Sequence, residues 1–357
     1  MAENQKDRNG GSGSQGRDKR VPMRQLPRHW GRDWRRAYSI LTRDETAEAR
    51  PKGWWARSRA LFRGVSAKLS PARRTLLIIC LILAFLGLDE ERDAQYIFVA
   101  FMGLAFLLVL ELADRTRSRD ELEVARRLQR DLLPRESPPL PGYEFAFSYR
   151  AANTIGGDYY HFLPVQDGRV ALLVGDASGH GMAAGLLMAI SDTTLNIALE
   201  TDPSPLAVAA LLNRTLTRTG GTRAFMSLFY GLLDPDSGRL DYVCAGHPFP
   251  LLRRADGGLM RLGIGSYPLG LRDELQLVAE AVEIAAGDLL VLYTDGIPEA
   301  VDKNGESFGY ERLEQAVQVG ATAQEVHDRV FAELTRFQRE EPPLDDRSLV
   351  VMRRLSS

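Results

Sequence analysis

Residues 287–300 read GDLLVLYTDGIPEA, in which an apolar run, Asp288–Tyr293, leads directly into Asp295 and Gly296. Such a run predicts a buried β-strand that ends just before the aspartate. A carboxylate at a strand end is held by the sheet yet projects into a cleft, and the adjacent glycine lets a second backbone segment or an ion approach closely. The stretch therefore predicts a sheet that carries a binding site at one end.

Three further acidic segments lie at predicted strand ends or turns, each beside a glycine or a second acid: IGGDYY (155–160), GDASGHG (175–181) and LDDRS (344–348). Any single aspartate among them is also explained as a turn or capping residue. Four converging carboxylates repel one another, and divalent cations remove that cost. Oxygen-only ligands suit Mg²⁺ or Mn²⁺, and the five histidines form no pair at metal-ligand spacing. The pattern predicts a cation site at Asp158, Asp176, Asp295 and one acid of the 345–346 pair.

From residue 143 onward, the order of strand-like and helix-like runs is typical of an α+β domain. Turn sequences at 234–238 (DPDSG) and 254–258 (RADGG) join neighbouring strand-like runs, and the helix-like runs come in groups. This order favours antiparallel sheets with packed helices over a doubly wound parallel sheet. The predicted strands are Arg169–Val174, Ala224–Leu233, Leu240–Cys244, Leu275–Ile284, Asp288–Tyr293 and Ser348–Arg353, and the predicted helices are Met182–Leu199, Pro205–Thr217 and Ala323–Arg339.

The net charge of −2 conceals a strong asymmetry, because residues 1–74 hold 19 Lys/Arg and 7 Asp/Glu, a net of +12, and the remainder carries −14. Residues 1–20 are rich in glycine, serine and charge, which predicts disorder. Residues 21–74 stay basic and contain all four tryptophans. Tryptophan beside arginine favours a membrane–water interface, whereas a small helical subdomain with a tryptophan core is the alternative. A nucleic-acid partner is disfavoured, because the basic arm ends directly at apolar runs.

Two uncharged apolar runs, Thr75–Leu88 and Tyr96–Leu110, flank an acidic turn. Each is shorter than the roughly 20 residues that span a bilayer, so either one alone is also explained as a buried helix. Arginines precede the first run and follow the second, which predicts a transmembrane hairpin over 75–112 with both termini in the cytoplasm. The predicted location is the inner membrane, with two passes. The two cysteines, Cys80 and Cys244, lie in apolar surroundings and are interpreted as buried free thiols.

Residues 113–134 predict a helix that links the hairpin to the domain at 135–357. Ala125, Leu128 and Leu132 recur at helical spacing, and Pro134 ends the helix. About one and a half heptads do not establish a coiled coil. A signalling linker that forms a homodimer is the favoured interpretation of a helix in this position.

An ordered set of blocks resembles the SpoIIE/RsbU branch of the PPM-type phosphatases over about residues 122–355: ARRLQRDLLP (125–134), IGGDYY (155–160), GDASGHGMAAGLLM (175–188), FMSLFYGLLD (225–234), AGHPFPLL (245–252), YPLG (267–270), GDLLVLYTDGIPEA (287–300) and DDRSLVVM (345–352). The resemblance implies two antiparallel sheets packed face to face between helical pairs. It also implies a serine/threonine protein phosphatase that uses two Mn²⁺ or Mg²⁺ ions to activate water. No CxxxxxR loop and no GxxxxGK[ST] loop is present, which argues against a cysteine phosphatase or a P-loop enzyme.

The resemblance assigns Asp176 as the carboxylate that bridges the two ions, with the carbonyl of Ala177 as a neighbouring ligand. It assigns Asp158 to one ion, and Asp295 and Asp345 to the other. Asp346 is disfavoured, because the family's ligand is the first acid of its motif. The implied substrate is a phosphoserine or phosphothreonine on a STAS-type regulatory protein, and the alternative is a catalytically weak scaffold that binds a regulator.

Two positions depart from the family pattern. His161 stands where the family usually has an aspartate, which favours a surface substitution over a hydrogen bond to the metal site. Ser178 stands where distant relatives place a histidine, and His180 follows two residues later. His180 is a candidate proton donor to the leaving group, with loop packing as the alternative, and His247 is predicted to order a turn. The leaving-group acid stays open at this point.

Overall fold

The computed structural model describes residues 59, 62–64, 66–88, 95–179, 181–220, 224–339 and 341–356. The chain divides into two compact units, Met1–Arg115 and Thr116–Ser357. The predicted disordered segment, all four tryptophans and the acidic turn between the apolar runs lie outside the described residues, as does His180.

In the first unit, two helices pack against each other as a hairpin. Helix α1 spans Pro71–Leu86, and helix α2 spans Gln95–Leu132, continuing into the second unit. The helices touch where Cys80 faces Gly103, because a Cβ at Gly103 would meet the Cys80 sulfur. Arg73 of α1 forms an ion pair with Asp114 of α2 at 2.7 Å. The sequence prediction ended the apolar segment at residue 112, but no break separates it from the linker helix.

Two helices of the described chain are long and apolar enough to cross a membrane by length and composition alone. One is α2, whose apolar part is largely exposed, and the other is α3 (Met182–Thr201), whose apolar stretch is 39% buried. Core helices also meet this criterion, and α3 contributes Leu187, Met188 and Leu195 to the domain core. Helix α1, with 16 residues, is shorter than a spanning helix of ordinary length.

The second unit contains two five-stranded sheets, in which every pairing is antiparallel. The first has the order β1-β10-β9-β6-β7 and the second has the order β2-β3-β4-β5-β8. The strands are β1 (Tyr143–Arg150), β2 (Asp158–Pro164), β3 (Val170–Ala177), β4 (Met226–Leu233), β5 (Arg239–Ala245), β6 (Leu251–Arg253), β7 (Leu259–Arg261), β8 (Glu280–Glu283), β9 (Leu289–Tyr293) and β10 (Arg347–Arg354).

Helices cover the outer face of each sheet. In β9 and β10, side chains alternate between the faces. Leu290 and Met352 join the core that includes the second sheet and the helices α3 and α4 (Pro205–Gly220). Val291 and Val351 face the separate core with α5 (Gly309–Val317) and α6 (Ala323–Gln338). The predicted α+β fold, with two antiparallel sheets between helical layers, is confirmed.

The differences from the sequence predictions concern short or polar elements. Strands β1, β2, β6 and β7 and helix α5 were not among the predicted runs. The predicted strand Leu275–Ile284 forms hydrogen-bonded strand only over Glu280–Glu283. It lies at the edge of its sheet and pairs with β5 only over Arg239–Tyr242, so its first half has no ladder to join.

Candidate metal centre

The β2–β3 pair places two of the predicted aspartates side by side. Asp158 and Asp176 are direct partners in the antiparallel register. Asp158 is 1% exposed, and its Oδ2 accepts a 2.7 Å hydrogen bond from the Thr294 hydroxyl. Thr294 follows β9 of the other sheet, and its hydroxyl in turn accepts from the backbone N–H of Ser348. One threonine thus ties the two sheets together beneath the acidic cluster.

The β9–β10 pair brings the other two aspartates to the same end of the sandwich. These strands are antiparallel, so the end of β9 lies beside the start of β10. Asp295 comes two residues after β9, and Asp345 comes two residues before β10. The backbone N–H of Thr294 donates to the Ser348 carbonyl at 3.1 Å, which closes this end of the ladder. Asp295 is half-buried and Asp345 is exposed.

The electrostatics of these carboxylates reflect their proximity. Burial, followed by the charges of Asp295, Asp345 and Asp346, raises the pKa of Asp176 to about 8. Burial, followed by the charges of Asp345 and Glu299, raises the pKa of Asp295 to about 6. Burial and then the charge of Asp176 raise the pKa of Asp158 well above its usual range. The structure therefore brings acids from both sheets into one region, where a bound cation would favour their ionised forms.

The adjacent acids Asp345 and Asp346 have different environments. Asp346 is 5% exposed, and its carboxylate accepts hydrogen bonds from the backbone N–H groups of Ala152 and Gly157, at 2.7 and 2.6 Å. It therefore holds the loop that leads into Asp158. The Asp345 carboxylate accepts only from the N–H of Asp346 among the described residues. Asp345 is consequently the acid of the pair with oxygens open to a ligand.

Gly157 provides a second feature that suits a cation. A Cβ at this position would lie 2.5 Å from the Ala177 carbonyl oxygen and 2.6 Å from Oδ1 of Asp176. The absence of a side chain leaves those two oxygens facing a shared space, and both are hard ligands of the type that Mg²⁺ and Mn²⁺ prefer. Within the described residues, no three His, Cys, Asp or Glu side chains close on a single point tightly enough to hold an ion. The donor set fits divalent cations, and their binding requires some side chains to move inward.

A glutamine that sequence reasoning missed holds the same loop from the other side. Gln129 of α2 is 4% exposed; its Nε2 donates to the Gly156 carbonyl at 2.7 Å, and its Oε1 accepts from the Gly156 N–H at 3.2 Å. This reciprocal pair fastens the C-terminal turns of α2 to the residue two positions before Asp158. The sequence did contain a signal for it. Gln129 is four residues after Ala125 and three before Leu132, so it lies on the helix face that the apolar spacing predicts to be packed.

The predicted roles of the histidines and of Ser178 are clarified by the strand geometry. His161 is three residues after Asp158 and so lies on the opposite face of β2, where burial lowers the pKa of its imidazole and its ring packs near Tyr159. A hydrogen bond to the metal site is thereby excluded, and the residue is half-buried rather than a plain surface substitution. His247 is buried and shares a 2.8 Å hydrogen bond with the Ser227 hydroxyl. The Ser178 hydroxyl accepts from the N–H of Phe225, which is a loop-packing contact.

Comparison with known proteins agrees with this architecture. The chain is 25% identical over 256 residues to protein IcfG of Synechocystis, covering 64% of this chain and 40% of that protein. It is 26% identical over 239 residues to the phosphoserine phosphatase RsbU of Bacillus subtilis, covering 66% of this chain and 70% of that protein. The SiaA-PP2C domain of Pseudomonas aeruginosa has the same fold, with a TM-score of 0.59 and 22% identity, covering 68% of this chain and 98% of that domain.

The chain thus spans well under half the length of IcfG. Residues 166–355, slightly more than half of the chain, match the family described as Stage II sporulation protein E (SpoIIE). That range includes three of the four aspartates and all strands from β3 to β10. The chain belongs to the SpoIIE family, and its second unit has the PP2C-type phosphatase fold.

Proposed function

We propose that this protein is a metal-dependent serine/threonine protein phosphatase. The observation that carries the proposal is the meeting of acids from both sheets, since the ionisation of Asp176 is opposed by Asp295 and Asp345. Such an arrangement stores repulsion unless cations occupy it. Membership of the SpoIIE family and the similarity to the phosphoserine phosphatase RsbU support the same activity.

The residues proposed to hold two Mn²⁺ or Mg²⁺ ions are Asp158, Asp176, the carbonyl of Ala177, Asp295 and Asp345. When bound, a pair of such ions activates water for attack on phosphorus and neutralises the phosphoryl oxygens. Asp176 is the proposed shared ligand, because it is the strand partner of Asp158 and its ionisation is opposed by the charges of Asp295 and Asp345. Thr294 keeps Asp158 oriented through its 2.7 Å hydrogen bond. His161 and Ser178 have no proposed catalytic role, and no residue is proposed as leaving-group acid.

The proposed substrate is a phosphoserine or phosphothreonine on a STAS-type partner protein. The support is sequence similarity to RsbU, together with a cleft at the open side of Asp295. The proposed setting is the inner membrane, with the N-terminus and the phosphatase domain in the cytoplasm. The support there is the pair of helices α1 and α2, on which large apolar side chains such as Phe85, Phe98 and Phe101 are exposed.

The linker at 113–134 is proposed to control the metal centre and to form a homodimer. Val124 and Leu128, one helical turn apart on α2, are 57% and 63% exposed, as expected of side chains that pack against a second copy. On the same helix, Gln129 holds Gly156. A shift of α2 would therefore move the loop before Asp158. Deletion of residues 1–121 is expected to change the specific activity; an unchanged rate together with an unchanged Mn²⁺ affinity would contradict this control.

The activity is tested with the full-length chain, Mn²⁺ and a serine-phosphorylated STAS protein, beside Asp176→Asn and Asp295→Asn. Loss of a carboxylate ligand in either variant is expected to lower kcat/KM at least about a thousandfold. Glu274→Gln, an exposed site outside the cluster, serves as the matched control and is expected to retain wild-type activity. Equal release of phosphate by the wild type and both aspartate variants would contradict the proposal, and its absence from all of them would favour the scaffold alternative.

A further inference from the structure

A cleft of about 440 Å³ opens beside Asp295. Its walls come from the loop after β5, the end of β7, the segment after β9 and the start of α5. The side chains that matter here are Phe249, Arg261, Asp295, Glu299 and Tyr310. Because one wall is a proposed metal ligand, whatever fills this cleft lies next to the phosphoryl group under attack. The inference below rests on the proposed phosphatase function.

The cationic group of the cleft already has a partner. Arg261 forms an ion pair with Glu314 at 2.6 Å, and its guanidinium lies 5.9 Å from the centre of the Tyr310 ring. An acidic ligand would have to displace Glu314 to reach this arginine. Arg261 therefore shapes one wall of the cleft and leaves little net positive charge there.

Glu299, unlike Arg261, has no ionic partner among the described residues. It is exposed at the cleft, and its carboxylate forms no hydrogen bond or ion pair with any residue in the described part of the chain. It lines the cleft together with Asp295 and Tyr310. With the Asp295 charge taken up by an ion, Glu299 remains as the uncompensated charge of the cleft.

The aromatic side chains complete the fit. Tyr310 is 44% exposed, and Phe249 lines the cleft with it. Aromatic faces bind ammonium and guanidinium groups and cover the apolar stems of lysine and arginine. We propose that this cleft binds a lysine or arginine side chain of the phosphoprotein substrate, close to the phosphorylated residue, with Glu299 as its ionic partner.

The test uses the full-length chain with Mn²⁺ and phosphoserine peptides that are identical except at one position. That position carries lysine, alanine or glutamate and is moved from three residues before to three residues after the phosphoserine. At one or more positions, the wild type is expected to show a kcat/KM for the lysine peptide about three- to tenfold above that for the alanine peptide. The ratio within one variant cancels any change in metal loading.

Glu299→Gln, which keeps the shape and removes the charge, is expected to bring this ratio close to one. Glu299→Arg is expected to invert it, so that the glutamate peptide becomes preferred. Glu274→Gln is the matched control and is expected to keep the wild-type ratio. A preference for lysine that survives Glu299→Gln would overturn the inference, as would a wild type that shows no lysine preference at any position or hydrolyses none of the peptides.

Failure of the proposed phosphatase activity would give a different result from failure of the cleft proposal. A wild type without Mn²⁺-dependent hydrolysis of p-nitrophenyl phosphate would contradict the phosphatase proposal itself. A wild type that hydrolyses this small substrate yet shows no lysine preference would refute only the cleft's role.

Discussion

The two halves of the candidate metal centre differ in how firmly they are held. On the β2–β3 side, Asp158 is buried, hydrogen-bonded to Thr294 and paired in register with Asp176. On the β9–β10 side, Asp295 is half-buried and Asp345 is exposed. The half with Asp158 and Asp176 is therefore positioned by the fold, whereas the half with Asp295 and Asp345 faces solvent and the cleft where substrate would enter. The same contrast recurs between the neighbours Asp345 and Asp346.

Between these two neighbouring acids, the larger effect on activity is expected when Asp345, the open one, is removed. Asp345→Ala should lower Mn²⁺-dependent kcat/KM by about a hundredfold or more, because a ligand is lost. Its stability should change by less than about 0.5 kcal/mol, since exposed substitutions rarely cost more. Steady-state kinetics and urea unfolding of the purified chain check both. Full activity in this variant would remove Asp345 from the proposed ligand set.

Asp346→Ala should show the reverse balance. It removes the acceptor of two backbone hydrogen bonds, from Ala152 and Gly157, in a buried site. Charge-assisted bonds of this kind make a loss of about 2–3 kcal/mol in the free energy of unfolding the expected result. Urea unfolding in the presence of EDTA isolates this from metal binding. A stability equal to that of Asp345→Ala would show that the two acids are equivalent.

The repulsion within the centre predicts a pH effect in the metal-free protein. The pKa of Asp176 is about 8 in the folded chain and about 3.9 in an unfolded one. As pH rises through this window, the unfolded chain releases a proton that the folded chain retains, so folded stability falls. Asp176→Asn should reduce that fall, although Asp158 and Asp295, whose pKa values are also raised, still contribute to it. The variant should exceed the wild type by about 1–2 kcal/mol at pH 8 in EDTA, with little difference near pH 4. If the free energy of unfolding depended on pH in the same way in both proteins, the result would be inconsistent with a repulsive cluster.

The smallest effect is expected at the contact between α2 and the loop that leads into Asp158. Gln129→Ala removes two hydrogen bonds to Gly156, which should cost about 1 kcal/mol in stability and lower Mn²⁺ affinity about three- to tenfold. Arg130→Ala, an exposed neighbour on the same helix, is the matched control. Equal Mn²⁺ affinity in both variants would separate the linker helix from the metal centre.

The sequence predicted the α+β architecture because long apolar runs such as Asp288–Tyr293 became central strands. It was less informative where a contact joins distant segments. Nothing local distinguishes Asp345 from Asp346, since the difference arises from the loop at 152–157 that folds against the second acid. Gln129 was missed for the same reason, as its partner is 27 residues away. His161 was misjudged because β2 was not among the predicted strands; once that strand is known, alternation puts the residue on the face opposite Asp158.

The most direct test of the central claim is the number of Mn²⁺ ions bound per chain. Equilibrium titration of the full-length protein, followed by calorimetry or by the loss of the free Mn²⁺ resonance signal, should give two sites. Asp176→Asn should weaken both sites, because this carboxylate is the proposed shared ligand, whereas Asp345→Ala should weaken one. A single site, or two sites unchanged in Asp176→Asn, would contradict the account.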